Sequence, residues 1–142
     1  MKLILIILLL FSFCFSAFTN ENNFFQEAKK LFEEKKYEDC KFLFQRNIVY
    51  NPKDANSYLY LAKIFKIEED KRAEEKNIKT SLLLDPKNEE AMYLLIDMEL
   101  ERSNFSRAKE LKKDFEIICS KICEKLETIE SRLIAFEKKD ES

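Results

Sequence analysis

The most reactive side chains in this sequence are four cysteines, Cys14, Cys40, Cys119 and Cys123. No histidine accompanies them, so the commonest general base and a common metal ligand are missing. The abundant Asp and Glu residues are mixed with Lys along the chain, a pattern typical of solvated helix faces. The sequence therefore predicts no catalytic site, no metal site and no cofactor, and we expect a protein that is not an enzyme.

Cys119 and Cys123 have a spacing that can be compared with disulfide geometry. On a continuous helix, residues four apart have Cα atoms about 6 Å from each other, at the outer end of the disulfide range. The bond forms more easily if the helix breaks at 120–122. We expect a structural disulfide here, and free thiols or a metal or redox role are the alternatives. Cys40 is expected to be a small buried core residue.

The N-terminal segment 1–17 resembles a secretory signal. Lys2 supplies a positive charge, residues 3–11 form an unbroken apolar run, and residues 16–17 are small. Even residues 3–18 would make only about 24 Å of helix, against a hydrocarbon core of roughly 30 Å. We therefore favour a cleaved signal, with an uncleaved membrane anchor as the alternative. The signal predicts an exported protein of the periplasm or cell envelope, an oxidising compartment in which a disulfide persists.

Composition excludes several classes of function. The chain has 142 residues, no glycine and a net charge of −2. Without glycine, phosphate-cradling loops of the P-loop or Rossmann type are not expected. The near-neutral charge lacks the basic signature of nucleic-acid binding, and no polybasic segment marks an anionic lipid site. We therefore expect membrane contact only through the N-terminal segment, if that segment is retained.

The two prolines reveal an internal period. Pro52 and Pro86 lie in the similar contexts Asn-Pro-Lys-Asp at 51–54 and Asp-Pro-Lys-Asn at 85–88. Proline disfavours helix in the residue before it, and Asp or Asn caps the helix that follows. Each context therefore marks the end of one helix and the start of the next. The two contexts recur at a period of about 34 residues, a length typical of stacked helical repeats.

Three copies follow from this period, at 21–54, 55–88 and 89–122. Apolar or small residues recur at spacings of three, four and seven, and so form one stripe along most of the helices. Residues 123–138 continue the apolar phase and predict a capping helix, followed by a frayed tail at 139–142. The sequence thus predicts an all-α fold of seven helices in antiparallel pairs.

The repeats resemble the tetratricopeptide repeat (TPR) family over residues 21–122. The matching positions are Phe24, Ala28, Tyr37, Phe44 and Pro52 in copy one; Tyr58, Leu61, Ala62, Phe65 and residues 81–88 in copy two; and Ala91, Met92, Leu95, residues 103–105 and Ala108 in copy three. The pattern is broken at Glu27, Lys71, Glu74, Ile96, Glu99 and Ser120. The resemblance implies a right-handed superhelical stack of helix-turn-helix pairs with a C-terminal capping helix.

The resemblance also implies a function and a binding surface. In TPR arrays the first helices of the pairs line a concave groove that holds a peptide or a partner helix. Carried over by register, this predicted groove contains Phe25, Lys29, Phe32, Leu59, Lys63, Lys66, Ile67, Tyr93, Asp97 and Leu100. Phe25, Lys29 and Glu90 occupy three places of the clamp that grips a terminal carboxylate in the chaperone-tail-binding members, so that clamp is absent.

We therefore expect a non-catalytic scaffold that binds a protein or peptide partner in this groove. A membrane-anchored structural tether or assembly subunit is the alternative, and a thiol-redox role through Cys119 and Cys123 is a third.

Overall fold

The computed structural model of the chain describes residues 23–140, with side chains through residue 136. Over this range the chain forms seven α-helices and no strand. The helices are α1 (Phe24–Glu33), α2 (Tyr37–Tyr50), α3 (Ala55–Ile67), α4 (Lys71–Leu84), α5 (Glu89–Glu101), α6 (Phe105–Ile118) and α7 (Lys125–Asp140). The all-α prediction is confirmed. The predicted signal at 1–17 and the last two residues of the predicted tail lie outside the described residues.

Three helices, α3, α4 and α5, begin at side-chain caps that the sequence makes visible. Asp54 accepts a hydrogen bond from the Asn56 amide at 3.2 Å, and Asn88 accepts one from the Ala91 amide at 3.0 Å. Such caps satisfy amides that have no partner inside the first turn. The preceding helices α2 and α4 end two residues before a proline. The proline contexts therefore mark helix boundaries in the way the sequence predicts.

The turns inside each helix pair share one backbone conformation. Lys35, Glu69 and Ser103 have φ of 60°, 60° and 58°, and they are spaced one repeat period apart. In each turn the next amide donates back to a carbonyl five residues earlier, as in Lys36 N to Leu31 O at 2.9 Å. Glycine usually fills this left-handed position at a helix C-terminus, because it has no Cβ. A chain without glycine uses Lys, Glu and Ser there, and the repeat period is visible in the backbone itself.

The apolar stripes meet in two clusters. The first joins α1, α2 and α3 around Ala28, Cys40 and Phe44, all fully buried. The second extends from Ala62 on α3 through α4, α5 and α6 to α7. Ala28 and Ala62 allow neighbouring helices to approach closely, as their repeat positions predict. The expectation that Cys40 is a small buried core residue is confirmed.

Each helix packs against the next one along the chain, and α7 also contacts α5. Ile129 and Leu133 of α7 are buried against the second cluster. The helix extends from Lys125 to Asp140, so it starts and ends two residues later than the predicted cap at 123–138. Within residues 23–140, no helix is long and apolar enough to cross a membrane.

Candidate functional site

A cleft of about 460 Å³ opens between α1, α3, the start of α5 and the segment that joins α6 to α7. We call it the cleft. It is lined by Phe25, Lys29, Asn56, Leu59, Tyr60, Asp85, Lys87, Asn88, Glu89, Glu90, Lys121 and Ile122. The first helices of the three repeats thus supply much of one wall, and the turns after α4 and α6 supply the other.

Tyr60 organises the aromatic part of the cleft. Its ring lies 5.8 Å from Phe25 and 5.1 Å from Phe32, both edge-on, and it stacks on Phe44 at 5.0 Å. Aromatic pairs in these arrangements add stability beyond their buried area. Burial, with the charge of Glu90 and Glu33, raises the pKa of the Tyr60 hydroxyl. The cleft therefore contains a preformed aromatic surface with a protonated hydroxyl that can donate a hydrogen bond.

The acidic residues of the cleft already have partners. The Glu89 carboxylate accepts hydrogen bonds from Ser120 Oγ at 2.7 Å and from the amides of Lys121 and Ile122 at 2.9 and 3.1 Å. These bonds lower the pKa of Glu89 to about 2, and the bond from the Lys121 amide has the largest effect. Glu90 forms an ion pair with Lys63. The Glu89 carboxylate therefore stays charged near neutral pH, and both carboxylates are held by partners within the protein.

The basic residues of the cleft differ from the acidic ones. The side chains of Lys29, Lys87 and Lys121 have no ion pair with any residue of the described part of the chain, and all three are exposed. Charged groups without a partner in the protein are available to a ligand of opposite sign. The cleft thus combines an aromatic surface with three free ammonium groups.

A network of ion pairs lies beside the cleft and connects successive helices. Asp97 on α5 pairs with Lys66 on α3 and with Arg132 on α7. Glu101 pairs with Lys66 and, at 2.6 Å, with Lys71 on α4. Burial is the largest single influence on Asp97 and pushes its pKa upward, but the hydrogen bonds from Lys66 and Arg132 outweigh burial, so the pKa is lowered. This network holds successive repeats and the capping helix together.

Comparison with known proteins gives a fold but no family. No family model matches the sequence, and no curated protein matches it. Several solved structures are similar, among them two of one protein. The first is the type III secretion translocator chaperone SycD of Yersinia enterocolitica, with a TM-score of 0.72 and 17% identity over 85% of this chain and 86% of that one. The second is SycD in complex with a peptide of the translocator YopD, with a TM-score of 0.70 and 17% identity over 84% and 93% of the two chains.

The fold is TPR-like. At 17% identity the similarity carries the architecture only, and it agrees with the helical stack described above. Within this TPR-like frame, the positions of the predicted groove residues can be compared one by one with the cleft.

Three of the ten predicted groove residues, Phe25, Lys29 and Leu59, line the cleft. Two residues of the predicted groove, Leu59 and Leu100, are buried, with exposed fractions of 3% and 1%. Leu59 forms part of the cleft wall from within the core. Leu100 packs in the second cluster, where α5 meets its neighbours. The repeat register shows which helix carries a residue, but it does not show that the side chains of Leu59 and Leu100 face the contact between helices.

Three of the four charged residues of the predicted groove already have partners within the described part of the chain, and only Lys29 does not. Lys63 pairs with Glu90, and its ammonium also lies 4.7 Å from the centre of the Tyr60 ring. Lys66 and Asp97 are partners of each other. These ion pairs join residues of neighbouring repeats. They neutralise charges of Lys63, Lys66 and Asp97 that the sequence analysis assigned to ligand binding.

The remaining members of the predicted groove are dispersed. Phe32 is half-buried against Tyr60, and Ile67 is 49% exposed at the end of α3. Tyr93 on α5 lies under α7, with the Lys125 ammonium 5.6 Å from its ring centre. The capping helix therefore covers part of the third-repeat section of the predicted groove.

Residues of the turns after α4 and α6 were missed by the sequence analysis. Lys87, Lys121 and Ile122 line the cleft, although the register assigned only first helices to the groove. The signal that could have found them is the turn itself, since Lys53, Lys87 and Lys121 recur at the repeat period.

The segment that joins α6 to α7 is held by the predicted disulfide. Cys119 and Cys123 are bonded, with Cα atoms 5.3 Å apart. The helix does break between them, because α6 ends at Ile118 and α7 begins at Lys125. In the described part of the chain, no group of three or more His, Cys, Asp or Glu residues is placed to hold a metal ion. The disulfide and Glu89 together present Lys121 and Ile122 to the cleft.

Proposed function

We propose that this chain is a non-catalytic protein-interaction scaffold that holds a segment of a partner polypeptide in the cleft. The observation that carries the proposal is the pairing pattern of the cleft. Its carboxylates Glu89 and Glu90 are satisfied internally, while Lys29, Lys87 and Lys121 are not. A structure with the same fold, SycD, has been solved in complex with a peptide of YopD, which supports a peptide as the type of ligand.

The cleft also suggests the chemistry of the bound segment. A volume of about 460 Å³ lies within the usual range of ligand sites, about 300–1,000 Å³, so it suits a few side chains rather than a folded domain. An apolar or aromatic anchor would rest against Phe25, Tyr60 and Ile122. Acidic residues beside the anchor would face the three free lysines. The favoured ligand is therefore a short segment with one large apolar residue and neighbouring Asp or Glu.

Selection of displayed random peptides on the native protein tests this proposal. We expect the selected peptides to share an apolar anchor next to acidic residues. Lys29→Glu and Lys121→Glu should each weaken binding by about 2- to 10-fold, since they reverse partly exposed charges. Lys35→Glu is a matched control, because it makes the same charge change outside the cleft. The equivalent position of the next repeat is already a glutamate, Glu69, with the same φ, so the turn accepts this residue. Peptides without acidic residues, or equal effects of all three variants, would contradict the proposal.

We propose further that the scaffold works in the periplasm or cell envelope. The apolar segment 3–11 and the bond between Cys119 and Cys123 support an exported chain. The alternative is a tether held at a membrane by a retained N-terminus. The intact mass of the protein recovered from cell fractions separates the two, because a mature start near Ala17 supports the exported scaffold and a full-length mass in membranes supports the tether.

A further inference from the structure

Three aliphatic side chains at equivalent positions of the repeats are highly exposed in the described part of the chain. Val49, Leu83 and Ile117 are 78%, 81% and 82% exposed. They recur once in every repeat, and each is the penultimate residue of its helix, α2, α4 or α6. Single exposed aliphatic residues are common, but the same exposed position filled by Val, Leu and Ile in every repeat is a surface feature. We call this row the aliphatic row.

A second row, of lysines, runs next to the first. Lys53, Lys87 and Lys121 each follow four residues after a member of the aliphatic row, in the turn that leaves α2, α4 or α6. All three are exposed, and no ion pair joins them to another residue of the described part of the chain. Because both sets of residues lie at or just after the C-termini of α2, α4 and α6, the repeat places them along one edge of the stack, which we call the lysine edge.

Three acidic residues at or next to these turns, Asp54, Asp85 and Glu89, accept hydrogen bonds within the fold. Asp54 accepts from the Asn47 amide group at 2.8 Å and from the Ser57 hydroxyl at 2.7 Å. Asp85 accepts from the Lys87 amide at 3.1 Å, and Glu89 binds the amides of the last turn. Asp54, Asp85 and Glu89 are thus engaged within the fold, while Lys53, Lys87 and Lys121 are exposed.

The N-terminal segment joins the fold at this same edge. Phe24, the first residue of α1, lies with its ring 5.5 Å from that of Tyr50 and 4.4 Å from the Arg46 guanidinium carbon. Tyr50 adjoins Val49 and precedes Lys53 by three residues. The part of the chain before Asn23, with its apolar run at 3–11, therefore connects to the stack beside the lysine edge.

We propose that the lysine edge docks on an anionic phospholipid surface. Aliphatic side chains beside exposed lysines suit the boundary between acyl chains and acidic headgroups. The described chain begins beside this edge, so a membrane bound by the segment before Asn23 would lie near the lysines. A second copy of the chain fits less well, because joining two aliphatic rows at Leu83 would bring Lys87 of each copy together. Lys53, Lys87 and Lys121 lie a full repeat apart in the sequence, so they come together at the lysine edge only when the repeats stack.

The test is amine-reactive footprinting of the native protein with vesicles, read at each lysine by mass spectrometry. One set of vesicles is phosphatidylcholine alone, and the other contains about one-third phosphatidylglycerol. We expect labelling of Lys53 to slow several-fold on the anionic vesicles only, and to recover in high salt. Lys35, in a turn at the opposite end of α2, should label at the same rate throughout. Lys53 is the reporter because it does not line the cleft, whereas Lys87 and Lys121 do.

Two variants separate the two rows. Val49→Ser with Leu83→Ser and Ile117→Ser should remove the slowing of Lys53 labelling, and circular dichroism should show an unchanged fold because these side chains are 78%, 81% and 82% exposed. Reversing Lys53 and Lys87 to Glu should reduce vesicle partitioning by at least about fivefold for each residue. Neither the aliphatic variant nor Lys53→Glu touches the cleft, so peptide binding should persist in them whatever happens on vesicles.

Three results would overturn the proposal. Lys53 labelling could be equally fast with and without anionic vesicles. It could slow equally on phosphatidylcholine, which would leave no role for the lysines. Labelling of Lys53 could also be slow in the absence of vesicles. Slowing that increases with protein concentration would assign the aliphatic row to a second copy, and slowing at every concentration would assign it to the chain's own N-terminal segment.

Discussion

Replacing Asp97 by Asn should destabilise the whole stack, because Asp97 joins α3 and α7 to α5. The substitution keeps the shape of the side chain and removes the charge shared by Lys66 and Arg132. Exposed ion pairs contribute about 0.2–1 kcal/mol, and breaking a buried one costs about 3–5 kcal/mol. The Asp97 side chain is 15% exposed, and its partners are 31% and 33% exposed. The free energy of unfolding should therefore fall by about 2 kcal/mol, which lowers Tm by roughly 8 °C in a domain of this size.

Thermal unfolding followed by circular dichroism measures this change, and its pH dependence tests the cause. Because the pKa of Asp97 is lowered from 3.8 in the folded protein, its contribution is present above the unfolded pKa and is lost as pH falls through the folded value. The Tm difference between Asp97→Asn and the parent should be constant from pH 7 to about pH 5 and should narrow below pH 4.

A matched control is Glu38→Gln, because Glu38 is 83% exposed and its partner Lys41 also pairs with Glu68. It should change the free energy of unfolding by less than about 0.5 kcal/mol. An Asp97→Asn variant as stable as this control, or a Tm difference that is the same at pH 7 and pH 2.5, would show that the charge of Asp97 does not stabilise the stack. Lys66→Glu should be more harmful still, since it places a third carboxylate beside Asp97 and Glu101.

Three further predictions concern the cleft and its support. Tyr60→Ala should lower the free energy of unfolding by about 2–4 kcal/mol in urea titrations, because it removes the ring at the centre of the aromatic cluster; a loss below about 1 kcal/mol would contradict this. Glu89→Gln should lower the protection of the Ile122 amide against hydrogen exchange at pH 7, and acid should lower that protection factor in the parent only as pH falls toward the Glu89 pKa of about 2; equal protection in both proteins would contradict the bond. Cys119→Ser with Cys123→Ser should cost about 2 kcal/mol or less and should loosen α7 before the other helices; exchange that rises uniformly along the chain would be the contrary result.

The architecture was accessible from the sequence because its determinants are local. The contexts of Pro52 and Pro86 define helix ends within a few residues, and the small residues Ala28 and Cys40 mark close helix contacts. The break between Cys119 and Cys123 also followed from a local argument, since a continuous helix angles the two side chains poorly for a disulfide. A repeat stack adds little beyond such information, because each helix mainly packs against its neighbours in sequence.

The binding surface was less accessible, because it depends on what lies opposite each residue. The register placed Lys63 and Lys66 on the correct helix, but their partners are 27 and 31 residues away on α5. Leu100 was placed correctly along α5, yet it is turned into the core. The contribution of Lys121 depends on a turn held by a disulfide and a carboxylate. Such pairings arise from the relative rotation of helices, which a one-dimensional pattern does not contain.

The most direct test of the central claim is to map where a selected peptide binds. Nuclear magnetic resonance of the native protein, titrated with an acidic-apolar peptide from the selection, reports on each methyl and aromatic group. We expect the largest shifts at Leu59, Tyr60 and Ile122, with small shifts at Leu83 and Ile134 on other surfaces. Shifts centred on Leu83 or Ile134, with Leu59 and Ile122 unmoved, would contradict a peptide site in the cleft.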